Sequence, residues 1–276
     1  MAATVRRLPA RLRGSLLFTT LVFGPVVFTI RSWLRLLALQ KLGPAIIGRV
    51  TGSDGLVALE VRDWAGRPLY VRPGTTDWET AQVSLIGQVH RPPPGQGEVR
   101  TILDLGANIG ATVADLADAY PAAQVLGIEL DAANVAVAER NTAGWRPRAS
   151  ILHGAVWTED GEVAYGGDRG EWAYRVLDAM DDRTRAAELA TVPAFSLTTL
   201  IDRLAPGGSV DYVKMDVEGA ERFLLASGDG WSERVRCLQV EVHLPLDVAG
   251  CARMMEELGF LVTADPTGIP SVTGLR

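Results

Sequence analysis

A glycine-containing turn that follows a short, mainly apolar run places the strongest constraint on the fold of this chain. Residues 104 to 110 have the sequence DLGANIG and follow the run at residues 101 to 103. The next apolar run, residues 124 to 128, ends at Glu129. A parallel strand that enters such a turn lets the backbone approach a ligand, and a carboxylate after the second strand can accept both hydroxyls of a ribose. The pattern predicts a nucleoside-binding strand, turn and helix.

The spacing of the glycines discriminates between nucleoside cofactors. A dinucleotide-binding turn has glycines at its first, third and sixth positions, so that a pyrophosphate sits at the helix N-terminus. Here Gly106 and Gly110 are four positions apart, with Asn108 between them. S-adenosylmethionine has no phosphate, and it carries an ammonium group that the carboxylate of Asp104 could attract directly or through water. The turn therefore favours S-adenosylmethionine over NAD, and an NAD-dependent oxidoreductase is the alternative.

Apolar and amphipathic segments alternate along the rest of the chain. This alternation predicts an α/β fold with a Rossmann-like, mainly parallel sheet and helices on both faces, whose ligands bind at the carboxyl ends of the strands. A hairpin at residues 55 to 72 and a short helix at 77 to 89 are predicted before it. Strands are predicted near residues 101–105, 124–129, 149–153, 210–216, 235–242 and 259–263, and helices near 110–119, 131–142, 197–204, 219–227 and 247–258.

Charge divides the 276-residue chain into two parts. Residues 1 to 53 contain eight basic and no acidic residues, whereas the whole chain has a net charge of −6, so the remainder carries −14. An acidic body disfavours nucleic acid as a partner, and a basic first segment favours an anionic surface. We predict a basic, apolar segment at residues 1–49 and a catalytic domain at residues 50–276.

The first segment has the composition of a helix that contacts a membrane surface. Residues 14 to 30 are uncharged and mostly apolar, but Gly24 and Pro25 interrupt them, and residues 31 to 41 mix leucines with basic side chains. We expect a bent or interfacial helix and a cytoplasmic, membrane-associated protein, because export would separate it from cytosolic S-adenosylmethionine. The alternative is that the segment packs on its own domain or forms an oligomer contact.

A second acidic motif follows a later apolar strand. Residues 210 to 221 have the sequence VDYVKMDVEGAE. With DLGANIG at 104–110, TTLID at 198–202 and EVH at 241–243, it makes residues 50 to 276 resemble the FkbM family of S-adenosylmethionine-dependent methyltransferases. The resemblance implies a seven-stranded Rossmann-like domain and methyl transfer to an oxygen. It also implies acceptors among sugars, glycolipids and polyketide-type natural products. The basic first segment has no counterpart in that family's core.

Six further residues are assigned to the cofactor site. Gly106 and Gly110 are expected to let the backbone approach the methionine part of the cofactor, and Asn108 to lend an amide. Alternatively, Gly110 only lets a helix pack closely on the sheet. Glu129 is the predicted ribose ligand, and its alternative role is a first-turn carboxylate favoured by the helix dipole. From their position after the third strand, Ala155 and Val156 are expected to flank the adenine.

The catalytic assignments rest on the ends of two later strands. Asp216 and Glu218 could orient an acceptor hydroxyl, hold the cofactor ammonium, bind a divalent cation, or cap the next helix. His243 is the predicted general base, because the ordinary pKa of histidine lies near neutral pH and an alcohol must lose its proton during methyl transfer. His153 and His90 are weaker candidates. A cofactor-binding module without turnover is a further alternative.

Aromatic residues and glycines alternate over residues 157 to 175. Aromatic faces between flexible glycines suit a lid that closes over an acceptor. A hairpin with half-buried aromatic side chains explains the same pattern, and the sequence does not decide between the two.

Overall fold

The computed structural model describes residues 23–41, 52, 55–166, 175–176, 190–228, 230–266 and 269–276. In these residues the strands are β1 (Val57–Glu60), β2 (Pro68–Val71), β3 (Thr101–Leu105), β4 (Gln124–Glu129), β5 (Ala149–His153), β6 (Ala155–Trp157), β7 (Gly161–Gly166), β8 (Arg175–Val176), β9 (Ala190–Ser196), β10 (Tyr212–Met215), β11 (Cys237–Glu241), β12 (Leu261–Asp265) and β13 (Ser271–Leu275). The helices are α1 (Ile30–Lys41), α2 (Asp77–Ala81), α3 (Ala111–Ala119), α4 (Ala132–Thr142), α5 (Leu197–Leu204), α6 (Glu221–Ala226) and α7 (Val248–Glu257).

The central sheet has seven strands in the order β12-β13-β11-β10-β3-β4-β5. All of its strand pairs are parallel except those of β13, which runs antiparallel to both β11 and β12. The chain order reverses at β3, which lies between β10 and β4, and this arrangement opens a crevice at the carboxyl ends of those strands. The predicted Rossmann-like fold is confirmed.

Most predicted elements lie where the sequence placed them. The hairpin forms between β1 and β2, and the short helix predicted at 77 to 89 comprises α2 and a π-helical continuation, Gln82–Gly87. Side chains cap three of the helices: Asp131 accepts from the backbone N–H of Asn134, Ser196 from that of Thr199, and Asp247 from that of Gly250. These caps explain why α4, α5 and α7 begin where they do.

The sheet has an apolar core on each face, because alternate residues of a strand point to opposite sides. Ile102 of β3 packs in the core that includes α3, α4, the hairpin and Leu36 of α1. Leu103 and Leu105 pack in the core that includes α5, α6 and α7. The structure therefore has helices on both faces, as predicted.

Two strand regions were not predicted. Strand β13 completes the central sheet, and β9 joins β6, β7 and β8 in a second sheet of order β6-β9-β7-β8. Trp157 and Tyr165 are buried in the core there, so residues 155 to 166 form packed strands rather than the lid that was one interpretation. The other aromatic residues of the proposed lid, Trp172 and Tyr174, and the charged stretch 178–188 lie outside the described residues.

The described part of the first segment bends at residues 28 and 29. Phe28 forms a β-bridge to Val61, and the Thr29 N–H donates to the Glu60 carbonyl oxygen, between a helical turn at 23–27 and α1. Phe28 and Leu36 are fully buried, so this part packs on the hairpin. Among the described residues, no helix has the length and apolar character needed to span a bilayer.

Candidate active site

An open cleft lies at the carboxyl ends of β3, β4 and β10. It contains about 580 Å³ of space that protein atoms do not fill, part of which is open to solvent. Six residues predicted from the sequence as site residues line it together: Gly106, Asn108, Glu129, Ala155, Val156 and Asp216. Three others, Asp104, Gly110 and His243, lie just outside the lining.

The turn after β3 is held tightly between its neighbours. The backbone N–H groups of Gly106 and Ala107 both donate to the Ile128 carbonyl oxygen of β4. Gly106 has φ +81°, and a Cβ atom there would lie 1.9 Å from the carbonyl oxygen of Asp216. Glycine is therefore required at this position both by the backbone conformation and by the close approach of the β10 segment.

Gly110 lies at the close contact between α3 and α4. It has φ +74° at the start of α3, and a Cβ atom there would lie 3.0 Å from both Cα and Cβ of Ala138 in α4. This contact fits the alternative role for Gly110, which was to allow close packing of a helix. The helix packs here against α4, however, and not against the sheet.

Glu129 is a buried polar group that lines the cleft. One carboxylate oxygen accepts the Asn108 N–H at 2.8 Å, and the other accepts the Asp131 N–H at 2.8 Å. Burial raises the pKa of this carboxyl to about 7, although these hydrogen bonds act in the opposite direction. An acceptor-rich carboxylate beside a buried turn fits the ribose hydroxyls of an adenosyl group.

A hydrogen-bonded chain from the hairpin reaches Glu129 and was not predicted. The Arg72 guanidinium donates to the side-chain oxygen of Asn134 at 2.6 Å and forms an ion pair with Asp77 at 2.8 Å. The amide nitrogen of Asn134 in turn donates to Glu129 at 3.4 Å. The hairpin region thus orients one wall of the cleft, a link that no local sequence motif signals.

Asp104 is fully buried and forms an ion pair with Lys214 of the neighbouring strand. The Lys214 ammonium lies 3.1 Å from the Asp104 carboxylate and 3.2 Å from that of Asp216, and it donates to the Gly106 carbonyl oxygen at 2.8 Å. Burial alone would lower the pKa of Lys214, but these carboxylates raise it. The positive charge of Lys214 therefore already balances the carboxylate of Asp104, which was predicted to attract the ammonium group of the cofactor. Lys214 was missed, although a lysine inside the apolar run at 212–215 was a visible signal.

The carboxylates of three residues surround the imidazole of His243. We call these four residues the acidic cluster: Asp216, Glu218, Glu241 and His243. The Nε2 atom of His243 lies 3.8 Å from a carboxylate oxygen of Asp216, 3.7 Å from one of Glu218 and 3.7 Å from one of Glu241. Asp216 and Glu218 also line the cleft, so the cluster borders the cofactor site. Glu218 has φ 52°, a left-handed conformation that is rare for a residue with a side chain and is frequent at functional sites.

A buried carboxylate fixes the orientation of the His243 ring. Nδ1 lies 2.8 Å from an oxygen of Glu221, which is fully buried and also accepts the Val217 N–H. Burial alone would lower the pKa of His243, but the hydrogen bond to Glu221 and the charge of Asp216 raise it to about 10. For Asp216, burial alone would raise the pKa, but Lys214 and His243 lower it below its ordinary value.

Helix capping does not account for this acidic motif. The N-cap of α6 is Ala220, and no side chain caps that helix. Asp216 and Glu218 instead face the cleft and His243. Of the roles considered for them, those at a binding or catalytic site fit these contacts.

The other two histidines differ in their positions. His90 lies beside the acidic cluster, with Nε2 3.2 Å from Glu241. His153 is exposed and its Nε2 lies 3.1 Å from the Leu130 carbonyl oxygen. Trp157, at the start of the aromatic and glycine-rich segment, packs on Phe223 in the core with ring centroids 5.3 Å apart.

Comparison with known proteins gives one family match. Residues 104 to 262 match the model of the methyltransferase FkbM domain. No curated protein sequence matches the chain.

Solved structures resemble the chain at low identity. They include the S-adenosylmethionine-dependent methyltransferase SibL in its apo form (15% identity, TM-score 0.44, 96% of this chain and 74% of that chain). The N-terminal domain of EvdMO1 with S-adenosylhomocysteine bound is another (17%, 0.37, 66% and 76%). A third is the precorrin-6y C5,15-methyltransferase of Geobacter metallireducens GS-15 (9%, 0.38, 64% and 80%).

The family match covers more than half of the chain and includes both the turn after β3 and the acidic cluster. The oxidoreductase alternative is thereby set aside. The chain belongs to the FkbM methyltransferase family, and its methyl donor is S-adenosylmethionine.

Proposed function

We propose that the protein is an O-methyltransferase that acts on a hydroxyl of a sugar, a glycolipid or a polyketide-type natural product. The observation that carries this proposal is the acidic cluster at the border of the cleft, where three carboxylates lie within 3.8 Å of one imidazole nitrogen. Carboxylates can accept hydrogen bonds from an alcohol, and imidazole can take its proton. The resemblance to the FkbM family supplies the acceptor classes.

Different residues of the cleft are proposed to bind the cofactor and to orient the acceptor. When bound, S-adenosylmethionine supplies an electrophilic methyl group. Glu129 accepts hydrogen bonds from the ribose, while Asp104, Gly106, Asn108, Gly110, Ala155 and Val156 are proposed to shape or border the rest of the cofactor site. Asp216 accepts a hydrogen bond from the acceptor hydroxyl and orients a lone pair of its oxygen along the axis of displacement.

His243 is proposed to take the hydroxyl proton at Nε2. The new bond joins the acceptor oxygen to the methyl carbon, and the electron pair of the broken carbon–sulfur bond remains on sulfur. The ring must enter this step unprotonated, although the surrounding carboxylates raise its pKa to about 10. A cationic ligand in the cleft favours the unprotonated form, because like charges repel.

The test is a methylation assay with purified protein, labelled S-adenosylmethionine and a panel of saccharides, glycolipids and polyketides. We expect labelled product carrying the methyl group on oxygen, and a loss of turnover of about 10²–10⁴-fold in Asp216→Asn and His243→Ala, with S-adenosylhomocysteine binding retained. The exposed Glu162→Gln substitution in β7 is the control. Methylation on nitrogen or carbon would overturn the proposal, and unchanged turnover in the variants would remove both residues from the mechanism. Cofactor binding without turnover on any acceptor would favour a binding module.

We also propose that residues 1–49 attach the enzyme, at residues 50–276, to the cytoplasmic face of a membrane, which would suit a lipid-linked saccharide acceptor. Eight basic and no acidic residues in positions 1 to 53 support it. So do Val26, Ile30 and Leu34, which are spaced by four residues and are 54–63% exposed. Apolar side chains beside basic ones are typical of interfacial helices.

Vesicle sedimentation tests this attachment with the full chain. We expect binding to vesicles that contain anionic lipid and weak binding to purely zwitterionic vesicles. The double substitution Ile30→Ser and Leu34→Ser should reduce binding, whereas Leu261→Ser, at a still more exposed leucine of β12, should not. Equal sedimentation of all three proteins would argue that the segment packs only on its own domain.

A further inference from the structure

Two groups of potential metal ligands meet at Asp216. Asp216, Glu218 and His243 form one group and His90, Asp216 and Glu241 the other, and in each group the ligand atoms all lie within 4.8 Å of one another. Asp216 and Glu218 follow β10, and Glu241 and His243 lie at the end of β11, the adjacent parallel strand. The sheet therefore brings these donors together at its carboxyl edge.

The separations around His243 suit a common ion better than direct contacts. Its Nε2 atom lies 3.7–3.8 Å from carboxylate oxygens of Asp216, Glu218 and Glu241, which is longer than a hydrogen bond. A divalent cation with bonds of roughly 2.1 Å keeps its ligand atoms roughly 3–4 Å apart. The ligand atoms of Asp216, Glu218 and His243 all lie within 4.8 Å of one another, so an ion between these three would need only small side-chain movements.

The ring of His243 is held in the manner of a metal ligand. Its Nδ1 atom contacts Glu221 at 2.8 Å, which leaves Nε2 directed at the three carboxylates. A carboxylate on the far nitrogen is the usual partner of a metal-bound histidine, because it fixes the tautomer and the ring orientation.

A second, independent feature is the buried ring of His90. Its side chain is 9% exposed, and its Nδ1 atom is buried without a hydrogen-bond partner among the described residues. Its Nε2 atom faces Glu241 at 3.2 Å, and His90 forms a group of possible ligands with Asp216 and Glu241. The ring therefore adds a second imidazole beside Asp216 and Glu241 at this edge of the sheet.

We propose that Asp216, Glu218 and His243 bind a divalent first-row transition cation, with Glu241 as a fourth donor. Mixed imidazole and carboxylate ligands suit Mn²⁺, Fe²⁺ or Zn²⁺. Because Asp216 and Glu218 line the cleft, the ion would bind the acceptor oxygen and lower the pKa of its hydroxyl. With the ion bound, Nε2 of His243 would be a ligand and not the general base, and the hydroxyl proton would pass to solvent. This catalytic role rests on the proposed O-methyl transfer, whereas the ion site itself does not.

The test measures binding of Mn²⁺ to the full chain after chelator treatment, by loss of the electron paramagnetic resonance signal of free Mn²⁺ and by calorimetry. We expect one ion per chain, and a weakening of at least about tenfold in Asp216→Asn, in Glu218→Gln and in the outer variant Glu221→Gln. Glu162→Gln should bind as the unmodified protein does. S-adenosylhomocysteine binding by each variant shows that it is folded.

Two results would overturn the site. One is no uptake of Mn²⁺ at millimolar concentration by protein that still binds S-adenosylhomocysteine. The other is undiminished uptake by a Glu218→Gln, His243→Ala double variant, which would place the ion elsewhere. Neither result depends on methyl transfer, so failure of the O-methylation proposal remains distinguishable from failure of the metal site.

Discussion

The two halves of the cleft are built in opposite ways. The proposed cofactor half consists of a glycine turn and Glu129, whose carboxylate is already held by two backbone N–H groups. The proposed acceptor half consists of the acidic cluster, whose carboxylates lie farther than hydrogen-bond distance from the imidazole nitrogen they face. In the first half, backbone hydrogen bonds hold the turn and the Glu129 carboxylate in place. In the second half, several negative charges lie close together and can bind a ligand. A rigid cofactor site beside a charged acceptor site is what an in-line transfer requires, since catalysis depends on alignment.

The largest expected effect is a loss of stability when the glycine turn of the cleft is substituted. Gly106→Ala places a Cβ atom against the Asp216 carbonyl oxygen in a left-handed backbone conformation, so we expect a loss of about 2–5 kcal/mol in the free energy of unfolding. Gly161→Ala, where a Cβ atom meets nothing within 4 Å, should change it by less than about 0.5 kcal/mol. Chemical denaturation measures both, and equal effects would show that the junction of the turn with β10 is not tight.

A smaller effect is expected on cofactor binding, without loss of folding, when Glu129 is substituted. Glu129→Gln keeps the shape of the side chain but removes its charge, so we expect S-adenosylhomocysteine to bind about 10–100-fold more weakly. Glu139→Gln, at an exposed position of α4, is the matched control. Isothermal titration calorimetry measures the two dissociation constants. An unchanged value for Glu129→Gln would remove this residue from the ribose site.

A pH dependence follows from the same carboxylate. Because burial raises the pKa of Glu129 to about 7, its ionised fraction increases from roughly a tenth at pH 6 to roughly nine tenths at pH 8. If the ionised form binds the ribose, affinity for S-adenosylhomocysteine should increase about tenfold over that range. Without ligand, the sign for folding is opposite: the neutral form is favoured in the folded state. The contribution of Glu129 to stability is therefore full below about pH 4.5 and is lost as the pH rises through about 7.

Glu129→Gln provides the control for this dependence. Calorimetry at pH 6, 7 and 8 should show the increase in the unmodified protein and a flat profile in the variant. The same slope in both proteins would assign the titration to another group, and the contrast between the two halves of the cleft would lose its electrostatic basis.

The cofactor half could be predicted from the sequence because its parts lie close together in the chain. The turn at 104–110 and Glu129 are separated by one helix, and glycine spacing reports backbone geometry directly. For the same reason, helices with local caps, such as α5 after Ser196, were placed correctly.

The acceptor half depends on contacts between distant segments. His90 meets Glu241 across 151 positions, and the buried partner of Asp104 is Lys214, 110 positions away. No local pattern encodes such pairs. Strands β9 and β13 were missed for a related reason: Pro193 and Gly274 weaken their strand patterns, and long-range pairing overrides that weak local preference.

The central claim is that the turn after β3 and Glu129 together hold the adenosyl group, with the methyl position directed at Asp216 and His243. A crystal structure with S-adenosylhomocysteine bound tests this most directly. We predict both ribose hydroxyls within hydrogen-bond distance of the Glu129 carboxylate, the adenine beside Ala155 and Val156, and the sulfur atom directed towards Asp216. Electron density for the ligand outside this cleft, or a ribose that does not contact Glu129, would contradict the account.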